Sequence, residues 1–106
     1  MNRGEVYDVD WPGLGRRPAV IVTRPTAIAH LTNITVVLIT TRVRGLPSEV
    51  ELGTAHGLVE GSLANCDNLL TIPKTALVAR RGMLGPAELH ALDRALRIAL
   101  ALDRVT

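Results

Sequence analysis

Apolar and polar residues first alternate from Glu5 to Trp11, with Tyr7, Val9 and Trp11 on one side and Val6, Asp8 and Asp10 on the other. Alternation of period two predicts a half-buried strand. Pro12-Gly13-Leu14-Gly15 then reads as a loop. Pro18 to Thr23 is a second strand, apolar enough to lie centrally, with proline tolerated as its first residue. Pro25 to Leu31 is a turn or short helix, since proline suits a first helical position. Ile34 to Thr41 is a β-branched third strand, and Arg42 to Pro47 a loop with two arginines. Ser48 to Leu52 alternates again, Gly53 to Gly57 turns the chain, and Leu63 to Leu70 is a further strand. Pro73 to Leu77 is a turn or single helical turn, followed by a short strand from Leu77 to Arg81.

Only one stretch changes to helical periodicity over any length. Pro86 to Leu102 places Leu89, Leu92, Leu96, Ala99 and Leu102 on one face, widened by Ile98 and Leu100. Glu88 falls in the first turn, where the helix dipole favours an acid, and Asp93 and Arg97 stand at i,i+4 spacing. Short strands, regular turns and one late helix predict a mainly β fold: a small curled antiparallel barrel capped by helices. An open α/β sheet is disfavoured, because helices do not alternate with strands.

Composition narrows this picture. The 106 residues suffice for one domain, expected to cover 1–106, with a core that needs no metal or disulfide. Hydrophobic residues make up 47%, yet there is one Trp, one Tyr and no Phe, so the core must be aliphatic. A platform of several stacked aromatics for nucleic acid is thereby excluded. Cys66 stands alone, which rules out a disulfide framework and predicts a small packed hydrophobe. No apolar run approaches a membrane span of about 18 residues, and residues 1–10 are too polar and acidic for a signal peptide. The chain therefore reads as cytoplasmic, with no membrane partner.

Charge distribution matters more than the net value of +2. Of the 12 basic residues 11 are Arg; five of them (16, 17, 24, 42, 44) lie between Trp11 and Ser48, a stretch without Asp or Glu. Such a patch in a nearly neutral chain points to a local anionic ligand. An Arg-rich overall composition would give the same count.

The chemistry follows partly by elimination. There is no phosphate-cradling glycine loop, no paired-histidine helix motif and no serine nucleophile elbow. His30, His56 and His90 are scattered and bring no carboxylate at ligand spacing, so neither metal nor cofactor is expected. Arginine and hydroxyl remain. Arg17 precedes Pro18, which pushes it into extended geometry and gives its guanidinium a stiff base. Thr40 and Thr41 end the third strand, just before Arg42 and Arg44. If the second and third strands pair antiparallel, Arg17 and Thr40 converge on one phosphate. Such a pair suits cleavage of RNA by its own 2′-hydroxyl, because guanidinium matches the charge that develops at phosphorus and on the leaving oxygen. Taken singly, Arg17 is also an ordinary strand-start residue and the threonines ordinary β-formers.

Five pieces of the chain, in order, resemble the MazF/PemK family of toxin endoribonucleases from bacterial toxin–antitoxin pairs. They are Arg3-Gly4-Glu5-Val6-Tyr7, Gly15-Arg16-Arg17-Pro18-Ala19-Val20-Ile21-Val22, Val36-Val37-Leu38-Ile39-Thr40-Thr41, Leu46-Pro47-Ser48-Glu49-Val50, and Gly57-Leu58 with Ser62-Leu63-Ala64-Asn65-Cys66-Asp67-Asn68. The resemblance implies an SH3-like barrel of the MazF/PemK/CcdB type with a C-terminal α-helix, and a homodimer. It also implies metal-independent, sequence-selective cleavage of single-stranded RNA (mRNA, rRNA or tRNA loops), leaving a 2′,3′-cyclic phosphate and a 5′-hydroxyl. A cognate antitoxin with an acidic tail is the implied inhibitor. The family's catalytic arginine falls on Arg17 and its catalytic threonine on Thr40. Trp11, Gly15, Arg16, Thr41, Arg42 and Arg44 are the expected RNA-binding residues around them.

Three positions depart from the family pattern. The Trp11–Arg16 loop is shorter and less polar, Leu38 replaces a proline, and Leu70 replaces a basic residue, leaving Arg42, Arg44 or Arg80 to substitute. Two other readings fit the same barrel: a toxin that binds a protein such as gyrase, and a non-catalytic RNA-binding module. The high apolar fraction fits a dimer interface as well as a well-filled core.

Overall fold

A computed structural model describes residues 1–103; the last three residues of the expected 1–106 domain lie outside the described residues. The fold is mainly β. Six strands, β1 (Glu5–Trp11), β2 (Gly15–Ile21), β3 (Asn33–Thr40), β4 (Glu49–Gly53), β5 (Ser62–Pro73) and β6 (Leu77–Met83), form one antiparallel sheet in the order β4-β5-β3-β2-β1-β6. The sheet curls into the small SH3-like barrel anticipated. A short helix α1 (Pro25–Ile28) and a longer one, α2 (Pro86–Ala99), complete it with single 3₁₀ turns at Ala55–Gly57 and Lys74–Ala76. No helix among the described residues is long and apolar enough to cross a membrane.

The sheet is buried on both faces. Val6, Val20, Val37, Ile39, Ala64 and Cys66 pack against Leu92 and Ala95 of α2. Val9, Ala19, Ile21, Val36 and Leu38 pack with Ile28 of α1 and Ala76 on the other side. This corrects the half-buried reading of β1, since Val6, Asp8 and Val9 are all buried. Burial on both sides is what an aliphatic, β-branched strand set favours. Burial also pushes the Cys66 thiol up to about 11, the neighbouring Asp67 adding to the effect, so it is the inert core residue expected.

Strand boundaries move where hairpin chemistry overrides composition. The expected Pro12–Gly15 loop shrinks to a turn of Pro12-Gly13-Leu14, in which the Leu14 N–H donates to Trp11 O at 2.9 Å. Pairing with β1 therefore continues to Gly15 opposite Trp11. Pro18 lies inside β2, not at its start, and the β2–β3 ladder begins one residue later at Ala19. Proline has no N–H to give, so the ladder loses nothing there. β5 runs past Leu70 to Pro73 because it pairs with the whole of β3, with three residues, Cys66–Asn68, bulged out between two paired segments.

Helix α2 starts as expected, with Pro86 in its first turn and Glu88 Oε1 accepting the Gly85 N–H at 3.0 Å. It ends at Ala99, short of Leu102. Leu92 is fully buried, whereas Ile98, Leu100 and Leu102 are exposed, so the apolar face is narrower than the periodicity suggested. Asp93 does not pair with Arg97; it accepts a hydrogen bond from Arg3 Nη2 at 2.7 Å, while Arg3 Nε donates to Val22 O at 3.1 Å. A long-range clasp thus replaces the local pair and ties the start of the chain to α2. Gly4 completes it: at φ +91° a side chain there would stand 2.7 Å from a Leu89 methyl.

Candidate active site

The β2–β3 register sets Ala19 against Leu38, and continuing it by two residues sets Arg17 across from Thr40. Arg17 Nη2 donates to Ile39 O at 3.4 Å, which leans the guanidinium on the end of β3. The side chain that sequence placed at the end of a loop is therefore carried by a paired strand, opposite Val9 of β1. That is a stiffer mount than a loop.

Two cavities meet at this strand end, and Arg17, Thr40 and Thr41 line both. The first, about 290 Å³, is walled by Pro18, Ile39, Leu58 and Val59, with Arg81 and Ser62 at its polar side. The second, about 360 Å³, is lined by Arg42, Arg44, Asn65 and Asn68. Thr40 Oγ1 accepts the Arg42 N–H at 3.1 Å. One of its two lone pairs is thereby engaged, and its own O–H remains to donate.

The arginine loop has a hidden organiser. The backbone N–H groups of Arg44, Gly45 and Leu46 converge on the Glu49 carboxylate at 2.9–3.3 Å. Backbone donors thus take the carboxylate's lone pairs, and among the described residues neither the Arg42 nor the Arg44 side chain forms an ion pair. The bulge in β5 is the second organiser, since Asn65 directly precedes it, Asn68 is its last residue, and both reach the second cavity.

Not every expected residue arrives. Trp11 and Gly15 face each other at the β1–β2 hairpin end and line neither cavity. Arg16 turns to Asp8, with Nη2 donating to Oδ2 at 3.4 Å. Arg80 does not replace the basic residue missing at Leu70: it pairs with the buried Glu5 carboxylate. Sequence reasoning missed Glu49, Asn65, Asn68 and Arg81. The two asparagines lay within a quoted motif segment, but their convergence depends on the bulge. Arg81 sat in a strand with no visible partner. No group of three or more His, Cys, Asp or Glu among the described residues is arranged to hold a metal. His56 does meet a carboxylate, Glu88 Oε1, at 3.2 Å, and packs over Gly82 beside α2.

Two buried carboxylates fix the cations behind the site. The hydrogen bond from Arg81 holds Asp8 below the usual carboxylate range against the cost of burial, with help from Arg16. Burial pushes Glu5 upward, but Arg80, the Asn2 N–H and the N-terminal charge outweigh it and hold Glu5 low as well.

A curled six-stranded antiparallel sheet carrying a cationic double cavity at one strand end defines a small β-barrel protein equipped to hold an anionic ligand. Residues 2–100 match the PemK-like, MazF-like toxins of type II toxin–antitoxin systems, and the chain belongs to that family. It is 44% identical over 89 residues to a Mycobacterium tuberculosis protein named Endoribonuclease MazF3, covering 84% of this chain and 86% of that one. It is 38% identical over 98 residues to the probable endoribonuclease MazF2 of the same species, covering 92% and 95%. Among solved structures, an endoribonuclease in complex with its cognate antitoxin, from a mycobacterial species, superposes with a TM-score of 0.86 at 32% identity over 96% of each chain. The Mycobacterium tuberculosis toxin MazF-mt6 superposes with a TM-score of 0.85 at 38% identity, covering 93% of this chain and 98% of that one.

Proposed function

We propose that this chain is a sequence-selective endoribonuclease toxin, acting in the cytoplasm on single-stranded RNA without a metal ion. The observation that carries the reading is that Arg17 of β2 and Thr40 of β3 both line both cavities, with the Arg17 guanidinium leaning on Ile39 O beside Thr40. The substrate's 2′-oxygen attacks the adjacent phosphorus, the bond to the 5′-oxygen breaks, and a 2′,3′-cyclic phosphate and a 5′-hydroxyl result. The 2′-hydroxyl loses its proton and the departing 5′-oxygen gains one. Arg17, always charged, offsets the charge growing on the phosphoryl oxygens and protects the leaving oxygen by hydrogen bonding. Thr40 donates its free O–H to a non-bridging oxygen. Arg42, Arg44, Asn65 and Asn68 hold the strand's backbone in the second cavity. Unpaired RNA is the fitting substrate, because an A-form duplex hides its base edges from side chains.

An acidic antitoxin segment matches the same cations and blocks the site by occupying it, in keeping with the antitoxin-bound relative. A homodimer accounts for exposed apolar residues such as Ile98, Leu100 and Leu102. Sedimentation showing a dimer at micromolar concentration supports it, and a monomer there contradicts it. The nuclease reading is tested by digesting long single-stranded RNA in excess EDTA and mapping fragment ends. Discrete cuts with 5′-hydroxyl ends, absent with Arg17→Ala, are expected. Unchanged cutting by Arg17→Ala overturns the site, and intact RNA from every class overturns the activity.

A further inference from the structure

The first cavity differs from the second in kind. Its walls are Pro18, Ile39, Leu58 and Val59, and beyond Arg17, Thr40 and Thr41, which it shares with the second cavity, it holds a cation whose placement is fixed from behind. Arg81 Nε donates to Asp8 Oδ1 at 2.6 Å and Nη1 donates to Gly57 O at 2.8 Å. These two bonds engage Nε and Nη1 and fix the guanidinium from two sides, while Nη2 has no protein partner among the described residues. Asp8 is itself buried and also shared with Arg16, so the anchor is stiff. Ser62 does not compete, because its hydroxyl donates to Val59 O at 2.6 Å.

We propose that this cavity is a nucleobase pocket next to the scissile phosphate, and that Arg81 reads the base in it through Nη2, with Asp8 as its positioning residue. The inference rests on the nuclease reading above. Apolar walls suit an unstacked base, and about 290 Å³ lies at the small end of ligand cavities. A guanidinium offers donors only, so the favoured base presents acceptors on the edge that enters, as guanine does with O6 and N7. Because Arg17, Thr40 and Thr41 line this cavity and its neighbour, a base here and a phosphate there belong to adjacent parts of one nucleotide strand. The division of labour is apolar contact and base choice in the first cavity, and backbone charge in the second.

The test uses the full chain and a short RNA containing its mapped cut site, with each nucleotide flanking the cut replaced in turn by an abasic residue. For the wild type, one abasic position raises KM about tenfold or more, the scale of losing a charge-assisted hydrogen bond. Arg81→Ala raises KM similarly on intact RNA with kcat little changed, and the abasic substitution then adds less than about twofold, because both remove the same contact. Arg81→Lys restores only part of the affinity, since an ammonium lacks the fork that Asp8 and Gly57 hold. Asp8→Asn shows the same split between KM and kcat if it acts through Arg81. Val59 is exposed, so the neutral Val59→Gln alters the cavity wall without disturbing the core or adding charge, and it should raise KM for intact RNA but not for the abasic one. Full, independent penalties from the abasic position and Arg81→Ala would overturn the pocket while leaving the nuclease standing. A wild type that cleaves no RNA overturns both.

Discussion

The arginines of this protein stand in two contrasting settings. On one side of the sheet edge, Arg80 and Arg81 are fixed by buried carboxylates, Glu5 and Asp8, and only the Nη2 group of Arg81 is left to the first cavity. At the end of β2 and β3, Arg17, Arg42 and Arg44 form no ion pair among the described residues and line open cavities. The same residue type thus does two jobs, and the partner decides which. Where a carboxylate is buried within reach, the cation orders structure. Where Glu49, the carboxylate around which the arginine loop folds, is occupied by backbone N–H groups, the cations stay available to a ligand.

Substitutions in the two settings should therefore fail differently. Arg17→Ala is expected to lower RNA cleavage by about 10²–10³-fold, the usual loss on removing one preorganised charge donor, with the thermal midpoint unchanged. Single-turnover cleavage and calorimetry on the same preparation separate the two. Asp8→Ala should cost roughly 1–3 kcal/mol of stability by stripping Arg16 and Arg81 of their acceptor, seen as a lower denaturant midpoint. An unchanged midpoint would mean the carboxylate is not structural.

Acid should act on the paired side. Glu5 and Asp8 are held below their ordinary values of 4.5 and 3.8, so their contribution is complete above those values. It is lost as pH falls through the lower folded values, because the unfolded chain then takes up protons first. Urea titrations from pH 6 down to pH 3 should show stability beginning to fall near pH 4.5, with Glu5→Gln flattening the decline. The smallest effects should come from the open side's rim. Arg42→Ala and Arg44→Ala should each weaken RNA binding a few-fold and reduce the salt slope by about 0.7 per lost phosphate contact, whereas Arg80→Ala should leave that slope unchanged. A slope that drops for Arg80→Ala would blur the distinction between the two settings.

Much of this was legible in the chain. Alternating, apolar and helical patterns located every strand and the late helix, and the second and third strands do pair antiparallel, with Arg17 and Thr40 lining the same two cavities. The mistakes share a cause: local pattern carries no information about distant partners. Asp93 was read with Arg97, its helical neighbour, but its partner is Arg3, ninety residues away. Arg80 and Arg81 looked like free basic residues because Glu5 and Asp8 lie at the other end of the chain, on the strand that β6 joins. Trp11 and Gly15 were grouped with Arg17 by nearness in sequence, yet the tight hairpin carries them away from the cavities. Asn65 and Asn68 reach the site only through a bulge that hydrophobic pattern does not encode.

The central claim is that Arg17 and Thr40 act on one phosphate as a unit. A double-mutant cycle tests it most directly: single-turnover cleavage of one defined single-stranded RNA by wild type, Arg17→Ala, Thr40→Val and the double variant. If the two side chains stabilise the same transition state, Thr40→Val will cost much less once Arg17 is gone, and the double variant will cleave little more slowly than Arg17→Ala. Losses that simply multiply would mean the two residues act independently, and the shared site would be wrong.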